Sequence, residues 1–515
     1  CALPICIMQN NVRTYTAKER NMYLLGMLGQ NMIYNIIGTG LYFYFQSVIF
    51  IPAMAISIFM SVARVWDAIN DPMMGTFVDK TNSKWGKCRP YLLFAPPVIL
   101  VITIGTFING IYSTSNSTLT NTLIVGWAAV SYILWGMCYT VGDIPLWGVT
   151  SRMTESEKDR ASILSLARIA AGIGSGLVLL CITPVSQALG QALEKTVGST
   201  AKSQQYGFII VAAVLAVIGC GLFQLTGIFV RERVVSKEEK FGFIDNFKIM
   251  WGNKPFRKQL ISGILRSPIQ ILLAVAMTLM SYYYGDYFGN YMLYMIILGG
   301  AIFGGQFIAM AIVPKLTEKI EKTKLFIGST VISAIPFALI FPIYKLAPQD
   351  LDKPVWMVVL FIVFLLAGAG MGALTVLQSV MIADAVDYEE YHKGYRPDGV
   401  FFSGQSFITK LSSGISSIIQ GVGYSIVGFS GDNVNACNEA LRNGASFKAD
   451  FPEYASMMFF LCSIPPAIGL FLSIIPMKNY GMTDAEHRSM LQTLIDRRNK
   501  KAAEMEAAET ETSAS

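Results

Sequence analysis

The sequence is poor in charge and nearly devoid of histidine. Of its 515 residues only 14% are Asp, Glu, Lys or Arg, and the two histidines are His392 and His487. A soluble domain carries about 25% charged residues, so this composition excludes an ordinary globular surface. The eight cysteines form no CxxC pair, and no disulfide or metal framework is suggested. Cys88 lies in a basic loop, whereas Cys138, Cys181 and Cys220 lie in apolar runs, where ordinary packing is expected. No nucleophile–base motif stands out, which argues against an enzyme. The basic residues are scattered through loops and do not gather on one surface, which argues against a nucleic-acid partner. The chain opens on Cys, as a truncated chain would, and "CALPICIM" is too short for a signal peptide.

What the sequence does have is apolar length. Mean hydropathy is +0.48. Runs such as "FIIVAAVLAVIGCGLFQLTGIFV" and "VWMVVLFIVFLLAGAGMGALTVLQSVMIA" reach the roughly 20 residues that a membrane helix needs. They are continuous and rich in Gly, unlike the alternating strands of a barrel. Twelve spans are expected, near 22–45, 55–79, 91–109, 123–149, 161–190, 207–230, 259–285, 292–314, 325–345, 355–383, 399–429 and 454–477. The segments 46–54, 110–122, 191–206, 286–291, 346–354 and 430–453, with Lys345, hold only six of the 40 Lys and Arg. The remaining loops and tails are therefore expected on the cytoplasmic side, with both termini and both histidines. An intramembrane histidine proton relay is then excluded.

The chain divides into a terminal segment (1–21), a six-span half (22–230), a charged loop (231–258), a second six-span half (259–480) and a tail (481–515). The tail reads as one charged helix followed by the disordered "AAEMEAAETETSAS". "GTFVDKTNSKWGKCRPYLLF" after span 2 matches "IVPKLTEKIEKTKLFIG" after span 8 in charge pattern, a faint repeat. Gly172/Gly176 and Gly300/Gly304 form GxxxG pairs, for which close helix packing is expected.

The informative charges sit inside the spans. In "RVWDAIND", Asp67 and Asp71 are four residues apart, about 40° around one helix face, with Arg64 one turn earlier. A carboxylate at mid-bilayer costs about 2.5–3.5 kcal/mol on insertion scales. Two of them about 6 Å apart also repel by roughly 3 kcal/mol at an effective dielectric of 20. A monovalent cation or one shared proton would relieve both penalties; Arg64 acting as a packing clasp is the plainer alternative. In span 4, Tyr139, Asp143 and Trp147 share a face, and Pro145 is expected to kink the helix. A carboxylate beside an indole suits a sugar, which donates hydroxyls to one and stacks on the other. An interfacial Trp with a water-facing Asp is the alternative. Arg168 in span 5 and Lys410 in span 11 lie too deep for easy snorkelling and read as partners of these acids; Arg266 reads as structural.

The blocks "ARVWDAINDPMMGTFVDKTNSKWGKCRPY", "YILWGMCYTVGDIPLWG" and "MIADAVDYEEYHKGYRPDGVFFSGQSFITK" resemble the signatures of the glycoside–pentoside–hexuronide:cation symporters, of the melibiose permease type, within the major facilitator superfamily. The resemblance implies an all-α membrane protein of twelve helices in two six-helix halves. It implies a cation site at Asp67, Asn70, Asp71 and Thr140, and a sugar site at Asp143, Trp147 and Arg168. Lys410 falls at a position tied to coupling, with Arg64 beside the acids. Asp384, Asp387, Glu390 and Arg396 would form a cytoplasmic gate. Span 1 departs from the type: Gln30 and Asn31 stand where the best-known member has a Lys and a sugar-binding Asp, so Asn31 joins the expected sugar site and a galactoside preference is not implied.

The resulting expectation is an inner-membrane carrier, working as a monomer without a cofactor, that brings in a sugar or glycoside with Na+ or H+ by alternating access. An amphiphile or lysolipid carrier on the same frame and a sugar sensor that does not transport are the alternatives.

Overall fold

The computed structural model describes residues 14–81, 83–154, 157–233, 243–394, 398–494 and 496–497. Its helices are, in order, α1 (Ala17–Asn35), α2 (Ala53–Lys80), α3 (Arg89–Phe107), α4 (Thr118–Met153), α5 (Glu157–Val197), α6 (Thr200–Phe229), α7 (Phe243–Gly252) and α8 (Lys254–Leu265). There follow α9 (Ile271–Leu279), α10 (Met292–Leu316), α11 (Lys322–Leu346), α12 (Pro354–Lys393), α13 (Asp398–Ile426), α14 (Asp432–Arg442), α15 (Phe447–Asp450) and α16 (Pro452–Lys478). Every expected span has a helix beneath it. Eight of these helices are long and apolar enough to cross a membrane, and the pair Lys254–Leu265 and Ser267–Tyr284, bent by 49° at Arg266, makes a ninth if taken as one span. The three others, α1 with its continuation, α2 and α13, carry Gln30 and Asn31, Arg64 with Asp67 and Asp71, and Lys410.

Local sequence sets the boundaries. Thr16 caps α1 in a reciprocal box with Glu19. Ser117 accepts the Thr120 N–H at the start of α4. Gly394, at φ 80°, closes α12 in the left-handed region that Gly tolerates. Pro145 does not end α4, which runs unbroken through it. Beyond Asn35 the first span widens into π turns at Ile36–Leu41 and Tyr44–Val48, and Met280–Tyr284 does the same in the seventh.

Packing divides the chain into two compact units: Cys1–Glu238 with Leu273–Met292 and Ser417–Ala455, and Glu239–Leu272 with Leu293–Ser416 and Ser456–Ser515. In the first unit α1 packs on α5 and α6, α3 on α4 and α6, and α2 on α4. The added segments join it through buried polar contacts. Gln46 donates to the Phe429 carbonyl at 3.0 Å, Asn438 to the Ser47 carbonyl at 2.9 Å, and Gln187 to Ser281 Oγ at 2.8 Å. Aromatic rings fill the space between: Phe43 stacks on Tyr287 at 6.2 Å and Tyr282 meets Phe429 edge-on at 5.2 Å.

In the second unit α12 packs on α11 and α8. Met250, Phe256, Leu260, Ile382, Val386, Phe401 and Ile408 form an apolar core there. Asn253 caps α8 and donates to the Ala385 carbonyl at 2.9 Å and to Glu389 at 3.0 Å.

The faint repeat has a structural counterpart within each unit. Glu232, just after α6, accepts the backbone N–H groups of Lys87, Cys88 and Arg89 at 3.0, 2.7 and 3.0 Å, at the start of α3. Asp484, just after α16, accepts the Lys322 N–H at 3.0 Å at the start of α11. An acid at a helix N-terminus contributes about 0.3–1 kcal/mol. Nearby, Arg233 holds Glu19 at 2.9 Å. Burial would raise the Glu19 carboxyl, but Arg233 and Thr16 outweigh it and hold it below its usual value.

The expected GxxxG pairs are not the close contacts. A Cβ added at Gly172, Gly176, Gly300 or Gly304 would meet nothing within 4 Å among the described residues, whereas one at Gly174 would strike the Leu28 carbonyl of α1 and one at Gly305 the Leu365 carbonyl of α12. The i, i+4 spacing marks a face but does not say which face is turned inward. Gly174→Leu should therefore lower stability by about 1–3 kcal/mol, as overpacking does, while Gly172→Leu changes it little. Thermal unfolding of the two purified variants in one detergent checks this; equal midpoints would contradict it.

Candidate functional site

The charged stretch of α2 faces α4. Arg64 Nη1 lies 3.3 Å from Asp67 Oδ2, and its guanidinium sits over the Tyr132 ring at 5.8 Å. Asp67 and Asn70 are buried. Gly136 lies against Asp67: a Cβ there would be 2.8 Å from Oδ1. One turn on, Asp71 Oδ1 is 3.1 Å from Thr140 Oγ1, and that same hydroxyl is 3.0 Å from the Gly136 carbonyl. A hydroxyl has one proton. If it points to Gly136, its lone pairs join the Asp71 oxygens as donors toward a cation. Asn70 Nδ2 is buried and meets no hydrogen-bond acceptor among the described residues. The four residues expected to hold a cation are thus on two neighbouring helices, with Asp71 and Thr140 in direct contact.

Thr140 and Asp143 are three residues apart on α4, so the second cluster begins where the first ends. Gln30 of α1 donates through Nε2 to Asp143 Oδ1 at 2.6 Å and also to the Tyr139 hydroxyl. Asn31 donates to the Gln30 Oε1 at 2.5 Å and to the Met27 carbonyl at 3.0 Å. The residue that reaches the acid is Gln30, and Asn31 steadies it from behind. Tyr139 stacks on Trp135 at 4.8 Å and leans on Tyr34 at 5.6 Å; Trp135 Nε1 donates to Thr103 at 2.9 Å. Arg168 of α5 lies over the Trp147 ring, 5.9 Å from its centroid. Asn35 ties α1 to α5 through Ser175 Oγ at 2.8 Å. A carboxylate, a carboxamide and a phenol meet between α1 and α4, and an indole meets a guanidinium between α4 and α5, groups that can both accept from and donate to hydroxyls.

Lys410 belongs to α13 in the second unit, half-buried. Of the expected gate residues, Asp384 is ion-paired to Lys322, with His487 Nε2 at 3.6 Å, and Asp387 lies 3.1 Å from His487 Nε2. Lys322 Nζ is also 3.9 Å from Asp484. The Glu390 carbonyl accepts the Gly394 N–H that ends α12. Arg396 lies outside the described residues. Lys322 and His487 are partners that sequence reasoning missed. The one available signal was the "TDAEH" segment, whose Thr483–Glu486 pair caps a helix that carries His487.

The family described as MFS/sugar transport protein matches residues 22–484. The inner membrane symporter YicJ of Escherichia coli is 26% identical over 482 residues, covering 93% of this chain and 95% of its own length. The isoprimeverose transporter of Lactiplantibacillus pentosus is 25% identical over 432 residues, 83% of each chain. A crystal structure of a D-xylose–proton symporter superposes with a TM-score of 0.57 at 13% identity, covering 85% of this chain and 98% of its own, a likeness that concerns the fold alone. The chain belongs to the MFS/sugar transport family and, within the major facilitator superfamily, to the glycoside–pentoside–hexuronide symporters: it is a multi-pass membrane protein that transports sugar and is not an enzyme.

Proposed function

We propose that the chain imports a glycoside or pentoside together with Na+ or H+, as a monomer in the inner membrane with both termini cytoplasmic. The observation that carries this reading is the sharing of α4: Thr140 touches Asp71 of the cation cluster, and Asp143, three residues on, is held by Gln30 in the sugar cluster. A cation that neutralises Asp67 and Asp71 would fix the rotation of α4, and with it the direction of Asp143. Sugar then binds against Asp143, Tyr139, Trp147 and Arg168. Lys410 would act in coupling, and the acids near 384–390 would act at the cytoplasmic gate. The relatives' named substrates include the neutral isoprimeverose and the anionic glucuronide and sulfoquinovose, and the amide in place of an acid in span 1 is compatible with a neutral pentose-containing substrate.

Membrane vesicles given an imposed Na+ or pH gradient and a panel of labelled glycosides test this reading. The wild type is expected to accumulate at least one glycoside above equilibrium. Asp71→Asn is expected to lose accumulation yet to keep part of its sugar exchange, which needs no cation turnover. Normal gradient-driven accumulation by Asp71→Asn would remove the cation pair from the mechanism.

The geometry also ranks two neighbours. A hydrogen bond to a charged group is worth about 1.5–3 kcal/mol, or roughly tenfold and more in affinity. Gln30→Leu should therefore raise the KM for sugar at least tenfold, and Asn31→Ala, one bond further away, by less. The reverse order in uptake kinetics would show that Asn31, not Gln30, faces the substrate.

A further inference from the structure

A second polar concavity lies in the first unit, away from the α1/α2/α4 site. It has a volume of about 920 Å³, within the roughly 300–1,000 Å³ typical of small-molecule sites. All of its walls come from the Lys- and Arg-poor loops and the helix ends that border them. Side-chain carboxamides dominate it: Asn109, Asn116, Gln204, Gln205, Asn435 and Asn438. Its charges nearly cancel. Arg442 is paired with Glu194 at 2.6 Å, and Lys202 shares the rim with Glu439.

One group in this lining points to a ligand. Gln204 is 2% exposed, and its Nε2 donates to the Gln187 carbonyl at 3.3 Å. Its Oε1 is buried and meets no donor among the described residues. A neutral acceptor in that state calls for an O–H or N–H donor and gains nothing from an anion. Two aromatic residues of the lining, Phe50 and Tyr287, have φ of 60° and 66°, in the left-handed region that bulky side chains rarely adopt. Asn438 and Tyr287 both donate to the Ser47 carbonyl, so the floor of the cavity is also the seam that joins Leu273–Met292 and Ser417–Ala455 to the rest of the unit.

We propose that this concavity is a vestibular subsite that binds an uncharged, hydroxyl-rich glycoside on the outer face before it reaches the α1/α4 site. The outer placement and the sugar class rest on the function proposed above. Sugar hydroxyls exchange with the amides of the lining, and a turn of the Gln204 carboxamide brings its unmet Oε1 to one of them. A hydroxyl that competes for the Ser47 carbonyl would loosen the floor from above. A glucuronide gains no partner here, because Arg442 is already engaged by Glu194.

The test uses the full-length chain in right-side-out vesicles. Lys202→Cys places a thiol on the exposed rim, and labelling by a membrane-impermeant maleimide is read with and without sugar, the parent's own labelling being subtracted. The probes are a xylosyl-glucose disaccharide and 4-nitrophenyl glucuronide. At ten times its dissociation constant the disaccharide should slow labelling about tenfold, and the glucuronide should do so less. The slowing should persist when Asp143→Asn removes binding at the deeper site, and should vanish in Gln204→Leu and in the milder Asn435→Ala. In these last two, uptake should show a raised KM with Vmax nearly unchanged. Slowing that disappears with Asp143→Asn would overturn the vestibular site and leave the transport reading intact. Persistent slowing in a protein that transports no glycoside would uphold the site and overturn the transport reading. No slowing by either probe, or slowing unchanged in both lining variants, would overturn the site.

Discussion

Everything at the centre of this protein depends on the difficulty of keeping Asp67 and Asp71 ionised on an apolar helix with one guanidinium between them. Arg64 is spent on Asp67, at 3.3 Å. Asp71 meets the Thr140 hydroxyl, which can stabilise a carboxylate by one hydrogen bond but carries no charge of its own. A carboxylate in a low-dielectric span is costly unless a charge of opposite sign comes and goes. On the function proposed above, that requirement would give the cluster two states, with α4 touched by both.

The sugar cluster is built on that same helix with little slack. Tyr139 is wedged between Trp135 and Tyr34, and Gln30 is anchored by Asn31, which also donates to the Met27 carbonyl. On the function proposed above, a small rotation of α4 would change which atoms meet Asp143. Linkage makes such an arrangement reciprocal: whatever the cation does for the sugar, the sugar does for the cation.

Much of this was legible in the sequence, for identifiable reasons. Helical spans follow from apolar length, and all twelve expected spans are helical. The shared faces of Asp67 with Asp71, and of Tyr139 with Asp143, follow from the helix period. What the period cannot give is rotation. Gln30 and Asn31 point about 100° apart, and which of them meets Asp143 is decided by Gly26 and Gly29, where any side chain would strike α6. The same limit explains why Gly174, and not Gly172 or Gly176, makes the close approach. Long-range pairings were hidden for another reason. Lys322 and His487 meet Asp384 and Asp387 across 60 to 100 residues of chain, and the carboxamide-lined concavity draws on five separate loops; no local pattern announces either.

The claim that one helix serves both clusters is tested most directly by measuring sugar affinity in the purified protein with and without saturating Na+, and across pH, together with cation affinity with and without sugar. The account predicts that one cation raises sugar affinity, that sugar raises the affinity for that cation by the same factor, and that both factors fall to one in Asp71→Asn. Sugar affinity indifferent to both Na+ and pH in the wild type would contradict it.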